Sequence, residues 1–241
     1  MDLTERQKEI LLAVIHEFME EPEEVGSLSL VEKYNLGVSS ATIRNEMVKL
    51  MRLGLLEKSH VSSGRLPTDQ AIRFYVSEVL NNGKLNPLIS VEIRQGIFRD
   101  RFSKDTVINS ILEIVSKESE SLVFIILDEE VRYYGMSNIL KYDEFKDVDK
   151  ITTIFDILED KSFLLNLVEK YSGSGVSLLI GKELCIEKMC DCAIAFTKIP
   201  FWDTEKAYVG IIGSKRMDYS KIIPVLDEVR NSLESSMAGW N

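Results

Sequence analysis

Apolar residues recur at helical spacing from the start of the chain. Ile10, Leu11, Val14, Ile15 and Phe18 share one helix face. Thr4-x-x-Gln7 in front of them forms a capping box, and Pro22 ends the run. A shorter helix is predicted over 27–34, capped by Ser27 or by Ser29, the latter with Glu32 at the box position. Asn35-Leu36-Gly37 reads as a turn, because Asn and Gly tolerate positive φ at a helix end. A third helix opens at Ser39-Ser40 and carries Ile43, Met47, Leu50 and Met51 on one stripe. Residues 55–61 and 65–68 then predict two strands joined by Ser62-Ser63-Gly64, with a left-handed-tolerant glycine at the tip. Helix, short helix, turn, helix and β-hairpin follow one another in the order of a winged helix.

The polar, Gly- and Pro-punctuated stretch 81–87 predicts a linker between a domain at 1–80 and another at 88–241. Beyond it the spacing predicts helices over 88–98 and 104–119. A hairpin of 122–127 with 131–136 follows, then helices over 148–159 and 161–171. Strands at 176–181, 192–199 and 208–213 precede a last helix over 219–236. Helices around strands joined by short turns indicate an α+β domain with an antiparallel sheet.

The 241 residues are 45% hydrophobic and 28% charged, a globular composition that excludes a disordered chain. The longest apolar runs, 10–15 and 122–127, are about six residues against the roughly 20 of a membrane helix, and the acidic N-terminus is unlike a signal peptide. Three cysteines give no disulfide framework, so a cytoplasmic protein is expected. A formal net charge of −10 argues, as a whole-chain figure, against a polyanionic partner. Resolved along the chain it becomes −6 over 1–24, zero over 25–38, +3 over 39–73 and −7 over 74–241. A compact basic island sits inside an acidic chain, on the third helix and the hairpin.

That island has the chemistry of a DNA reader. Ser39, Ser40 and the amides beside them suit a phosphate oxygen at the positive end of the helix dipole. Ala41, Thr42, Asn45, Lys49 and Arg52 face away from the apolar stripe, with Arg44 on the flank. Asn suits a bidentate contact to adenine, and Arg44 can reach guanine or phosphate. Lys49 and Arg52 lie further along, where backbone contacts are expected. In the hairpin Lys58, His60, Ser62, Ser63 and Arg65 gather cations and small donors around the tip, as a wing against a minor groove or phosphates would. Two alternatives stand beside this. Such a helix face also fits a merely solvated surface. A winged helix can equally be a protein-interaction adaptor, with the C-terminal domain sensing a ligand or docking a partner.

The same residues carry a resemblance. Gly37-Val38-Ser39-Ser40-Ala41-Thr42-Ile43-Arg44-Asn45-Glu46-Met47, then 53–57, 60–69 and Arg73-Phe74-Tyr75-Val76, resemble the heat-inducible transcription repressor HrcA family. The match returns at 135–140, at 144–148, at Cys190-Asp191-Cys192 and over 210–220. The resemblance implies a winged helix-turn-helix followed by a GAF-like α+β domain. It also implies a homodimer that represses chaperone genes from an inverted-repeat (CIRCE-like) double-stranded DNA operator, supported by the GroE chaperonin. It implies DNA contacts at Ser40, Thr42, Arg44, Asn45 and Arg65. Only about 50 residues separate the winged-helix block from Gly135. A shortened central region is therefore expected, with part of the sheet and the family's inserted dimerising segment reduced or missing.

The remaining signals point to structure. Cys185, Cys190 and Cys192 lack a fourth zinc ligand nearby, since His16 and His60 belong to the other domain. Gly173-Ser174-Gly175 precedes a strand, whereas a phosphate loop would follow one. His60 titrates near neutrality, but a polar or phosphate contact describes it as well. Asp218 can cap the last helix or pair with Arg216, and Phe201-Trp202 can be a loop over the core or an interface. No nucleophile–base set or carboxylate pair stands out. Neither an enzyme nor a cofactor is expected.

Overall fold

Thr4 opens the first helix as its spacing from Gln7 requires. Its hydroxyl accepts from the Gln7 amide at 3.3 Å while the Gln7 side chain accepts from the Thr4 amide at 3.1 Å. The structure, a computed structural model, describes residues 3–58, 64–82, 85–128 and 130–237. These form two units, 1–81 and 82–241. The first holds α1 (Glu5–Glu20), α2 (Ser27–Lys33), α3 (Ser40–Arg52), the antiparallel pair β1 (Leu56–Glu57) and β2 (Leu66–Pro67), and α4 (Asp69–Asn82). Its core is built from Ile10, Leu11, Val14 and Ile15 of α1 against Leu30, Ile43, Met47, Leu50, Leu55 and Ala71. Each Ile, Leu, Val or Met among them contributes about 1.5–3 kcal/mol when fully buried. Met51, expected on the buried stripe, is only half-buried.

Two local expectations are corrected. The cap of α2 is Gly26, with no side-chain cap hydrogen bond, and Ser29 lies beside the Glu17 carboxylate of α1, helping to hold its pKa down. Gly64 does not adopt a left-handed conformation. A Cβ there would lie 2.8 Å from the Glu24 carbonyl carbon and the Val25 oxygen, so glycine is required by close approach. Gly37, by contrast, has φ +65° and serves as the expected turn.

The first helix of the second unit starts at Pro87 and is capped by Asn86, whose side chain accepts from the Leu88 amide at 3.0 Å. It contains α5 (Pro87–Asp100), α6 (Lys104–Ser119), β3 (Leu122–Leu127), β4 (Glu130–Tyr134), the short α7 (Met136–Ile139), α8 (Val148–Glu159), α9 (Lys161–Tyr171), β5 (Ser177–Ile180), β6 (Cys192–Lys198), β7 (Ala207–Ser214) and α10 (Tyr219–Met237). The sheet is wholly antiparallel, in the order β4-β3-β7-β6-β5. Period-2 alternation sends Leu122, Phe124 and Ile126 to a core with Ile154, Ile157 and Leu158 of α8 and Leu164 and Val168 of α9. On the other face α6 packs on β3, and α10 packs on β6 and β7. Because both faces are covered, β7 is buried along its whole length. The unit is the α+β fold with an antiparallel sheet that the sequence predicts.

Charged side chains brace the corner before α10. Arg216 binds Glu144. Its Nε and Nη2 each lie 2.8 Å from an oxygen of Glu144, and Ser214 Oγ donates to the same carboxylate at 2.5 Å. Asp218 accepts from the Ser220 amide at 3.1 Å and caps α10. Phe201 is buried, with half-buried Trp202 packed edge-on at 4.5 Å between ring centroids. No helix among the described residues is long and apolar enough to cross a membrane.

Candidate nucleic-acid interface

Helix α3 is oriented by one apolar side and one polar clamp. Ile43, Met47 and Leu50 are buried against α1, and Glu46 is buried beside them. Gln7 of α1 donates to Glu46 Oε2 at 3.2 Å, and Lys49 donates to Glu46 Oε1 at 2.7 Å. The Lys49 hydrogen bond outweighs burial and, with Gln7, holds the Glu46 carboxyl below its ordinary pKa. Gln7 thus closes the α1 cap with its carbonyl and ties α3 to α1 with its amide. Neither Gln7 nor Glu46 was expected at the site. The two are 39 residues apart, and only the folded chain brings them together.

The N-terminus of α3 is already internally bonded. Ser39 caps the helix by accepting from the Thr42 amide at 3.4 Å, and the Ser39 and Thr42 hydroxyls meet at 3.1 Å. Ser39 is exposed, while Ser40 and Thr42 are half-buried. Beyond this turn Arg44, Asn45, Lys49 and Arg52 are all exposed. The structure therefore gathers the predicted helix residues on one solvent-facing surface, with Lys49 also tied to Glu46.

The hairpin is anchored from both ends. Val25 and Arg65 exchange backbone hydrogen bonds, each 2.9 Å, where Gly64 lets the chains approach. Thr68 Oγ1 donates to the Gly54 carbonyl at 2.7 Å and accepts from the Ala71 amide at 3.3 Å, joining the end of α3 to the start of α4. Lys58 is exposed. His60, Ser62 and Ser63 lie outside the described residues. Arg65 is placed differently from the expectation of an exposed wing cation. It is only 6% exposed, and its guanidinium donates to the Gly64 carbonyl at 2.8 Å. Burial and then the nearby Arg44 charge push its pKa below the ordinary arginine value.

The other candidate chemistry is dispersed. Cys185 is exposed, Cys190 half-buried and Cys192 buried, with burial pushing the Cys192 thiol up to about 12. No cluster of metal-ligating side chains occurs among the described residues.

A family model described as the HrcA protein C-terminal domain matches residues 38–223, from the start of the α3 segment into α10. The chain belongs to the HrcA family. A relative from Thermoanaerobacter sp. (strain X514), named heat-inducible transcription repressor HrcA, is 27% identical over 337 aligned positions covering 99% of this chain and 98% of its own. A relative of the same name from Clostridium tetani (strain Massachusetts / E88) is 27% identical over 344 positions, covering 100% and 97%. Both alignments exceed the chain's 241 residues, so these HrcA relatives carry segments that this chain lacks. A solved crystal structure of a hypothetical protein matches with a TM-score of 0.78 at 20% identity, covering 99% of each chain, and shares the fold.

Proposed function

We propose that the protein is a transcriptional repressor of heat-shock and chaperone genes, acting as a dimer on an inverted-repeat, CIRCE-like DNA operator. The observation that carries this reading is the exposed row Arg44, Asn45, Lys49 and Arg52 on a helix whose opposite side is locked into the core. The names of the HrcA relatives support it, since they are transcription repressors and not enzymes. In this reading α3 enters the major groove. Asn45 and Arg44 contact base edges, and Lys49, Arg52 and Lys58 hold phosphates. The capped first turn presents small residues that let the backbone approach the duplex. Arg65 holds the base of the hairpin against Val25, with which it exchanges backbone hydrogen bonds. His60, Ser62 and Ser63 complete the wing, and the GroE chaperonin supports the active repressor.

Two helices related by a two-fold axis read half-sites about one helical turn apart, which explains the inverted repeat. The test is titration of the full chain against the inverted repeat and a scrambled duplex at several salt concentrations. Operator binding is expected to be tighter and to weaken steeply as salt rises. Arg44→Ala and Asn45→Ala should each cost about 1–3 kcal/mol on the operator alone. Equal, negligible binding to both duplexes refutes the repressor reading. Unchanged affinity in both variants refutes the base contacts.

A further inference from the structure

The outer face of α5 carries an apolar stripe that nothing described covers. Leu88 is 76% exposed, Val91 48%, Phe98 61% and, just past the helix end, Phe102 85%. With exposed Gln95 they fall at 88, 91, 95, 98 and 102, the alternating three–four spacing of a helix-pairing seam. The inward-facing residues Ile93, Gly96 and Ile97 are buried in the unit's own core, so the stripe is not needed for folding. Arg101 lies over the Phe98 and Phe102 rings at 3.9 and 4.1 Å and partly shields them.

We infer that this stripe is the dimer seam, occupied by the same stripe of a second copy. The inference rests on the dimeric reading above and adds the surface that makes it. A two-fold axis near Gln95 runs the two helices antiparallel. The Leu88–Val91 end of one copy then meets the Phe98–Phe102 end of the other. Charge selects that direction, because antiparallel pairing brings Glu92 of one copy towards Arg99 of the other, twice. Parallel pairing would set Arg94 beside Arg99. Both side chains retain exposure for this, since Glu92 is 42% and Arg99 72% exposed in their present pairs with Lys117 and Asp100. The stripe offers on the order of 500 Å² of apolar side chain per copy. That forms the core of an interface of standard size, about 800 Å² per partner.

The test is sedimentation of the full chain at micromolar concentration, alongside operator binding. The chain should sediment as a dimer. Phe98→Glu with Val91→Glu should weaken the dimer about a hundredfold or more without changing the circular dichroism. Leu140→Glu, at an exposed leucine off the stripe, should leave it intact. In a Cys185→Ser/Cys190→Ser background, Gln95→Cys should crosslink to its own copy by oxidation. Glu92→Arg should weaken the dimer, and Glu92→Arg with Arg99→Glu should restore it. A dimer indifferent to the stripe variants, with no Gln95→Cys crosslink, overturns the seam and leaves the dimeric repressor standing. A monomer that binds one per operator overturns both. A monomer in which the stripe is protected from hydrogen exchange means that the chain's own N-terminal unit covers it, which also overturns the seam.

Discussion

Replacing Arg216 by Met should destabilise the second unit by about 3–4 kcal/mol at neutral pH. The wild-type pair is nearly dry, with side-chain exposures of 7% for Arg216 and 10% for Glu144. Burial alone would raise the Glu144 pKa, but the hydrogen bonds from Arg216 and Ser214 outweigh it and hold the carboxyl below its ordinary value. Without the guanidinium, burial dominates and the carboxyl has two options. It can stay ionised with only Ser214, an unpaired buried charge that costs about 3–5 kcal/mol. It can instead take up a proton, which at pH 7 costs about 3.4 kcal/mol for a group of ordinary pKa 4.5. Protonation therefore caps the loss near the lower figure.

The two proteins should respond oppositely to acid. In the wild type the folded pKa is depressed, so the Glu144 contribution is complete above the unfolded value and is lost as pH falls through the folded one. In Arg216→Met the folded pKa is raised, and the penalty fades as pH falls towards the unfolded value of 4.5. The deficit between them must shrink on acidification. Urea unfolding followed by far-ultraviolet circular dichroism at pH 7.5, 6 and 5 measures it. Arg216→Met with Glu144→Leu should recover stability to within about 1–2 kcal/mol of wild type, because no buried charge is left alone. A deficit under about 1 kcal/mol at neutral pH, or one that stays constant with pH, refutes the reasoning.

Ser39→Ala should destabilise the first unit by about 0.5–2 kcal/mol through loss of the α3 cap, read as a lower melting temperature. Ser39→Asp should keep the cap but weaken operator binding if a phosphate sits at that turn. Unchanged affinity removes the phosphate contact. Brief alkylation at about pH 8 followed by mass spectrometry should label exposed Cys185 and leave buried Cys192 unlabelled until urea is added. Equal labelling of both in the native protein contradicts the burial that raises the Cys192 thiol.

Much of the secondary structure was legible because local chemistry and burial agree. Thr4 with Gln7 and Ser39 before an apolar stripe each satisfy a helix end within a few residues, so the sequence marks those ends itself, whereas α4 over Asp69–Asn82 and the Asn86 cap of α5 fall outside the predicted helices, the latter within the expected 81–87 linker. The strands were readable where continuous apolar runs are bounded by Gly, Ser or Asp. What the sequence concealed is long-range. The sequence offers Asp218 as a partner for Arg216, yet the carboxylate that Arg216 binds, Glu144, lies 72 residues away. Arg65 belongs to a run of polar wing residues and looks exposed until Val25 pairs with it across 40 positions of chain. At Gly64 local patterns register φ and not the approach of the Glu24–Val25 backbone that requires glycine there. At the candidate site the exposed face of α3 followed from periodicity alone, whereas the Gln7–Glu46–Lys49 clamp that fixes its pose did not.

The net charge of −10 bears on recognition through its distribution. Of the six cations in the basic island, Lys49 is shared with Glu46 and Arg65 is buried, while Arg44 and Arg52 stand exposed on α3, Lys58 on the hairpin and Arg73 on α4. An acidic remainder repels the duplex from most other surfaces, which disfavours non-specific association and orients the docking face. So few cations on one copy give weak, salt-sensitive attraction. Two copies double the phosphate contacts and add a second set of base contacts at a fixed spacing. On the proposed dimeric reading, a chain shorter than its relatives with a sparse cationic face depends on pairing more than on any single contact. In the proposed dimer, that dependence ties the exposed stripe of α5 to the exposed face of α3. Breaking the seam should depress operator affinity far more than it depresses binding to a single half-site, a difference measurable on the two duplexes with the same Phe98→Glu/Val91→Glu variant. Equal losses on both would show that the two surfaces are energetically separate.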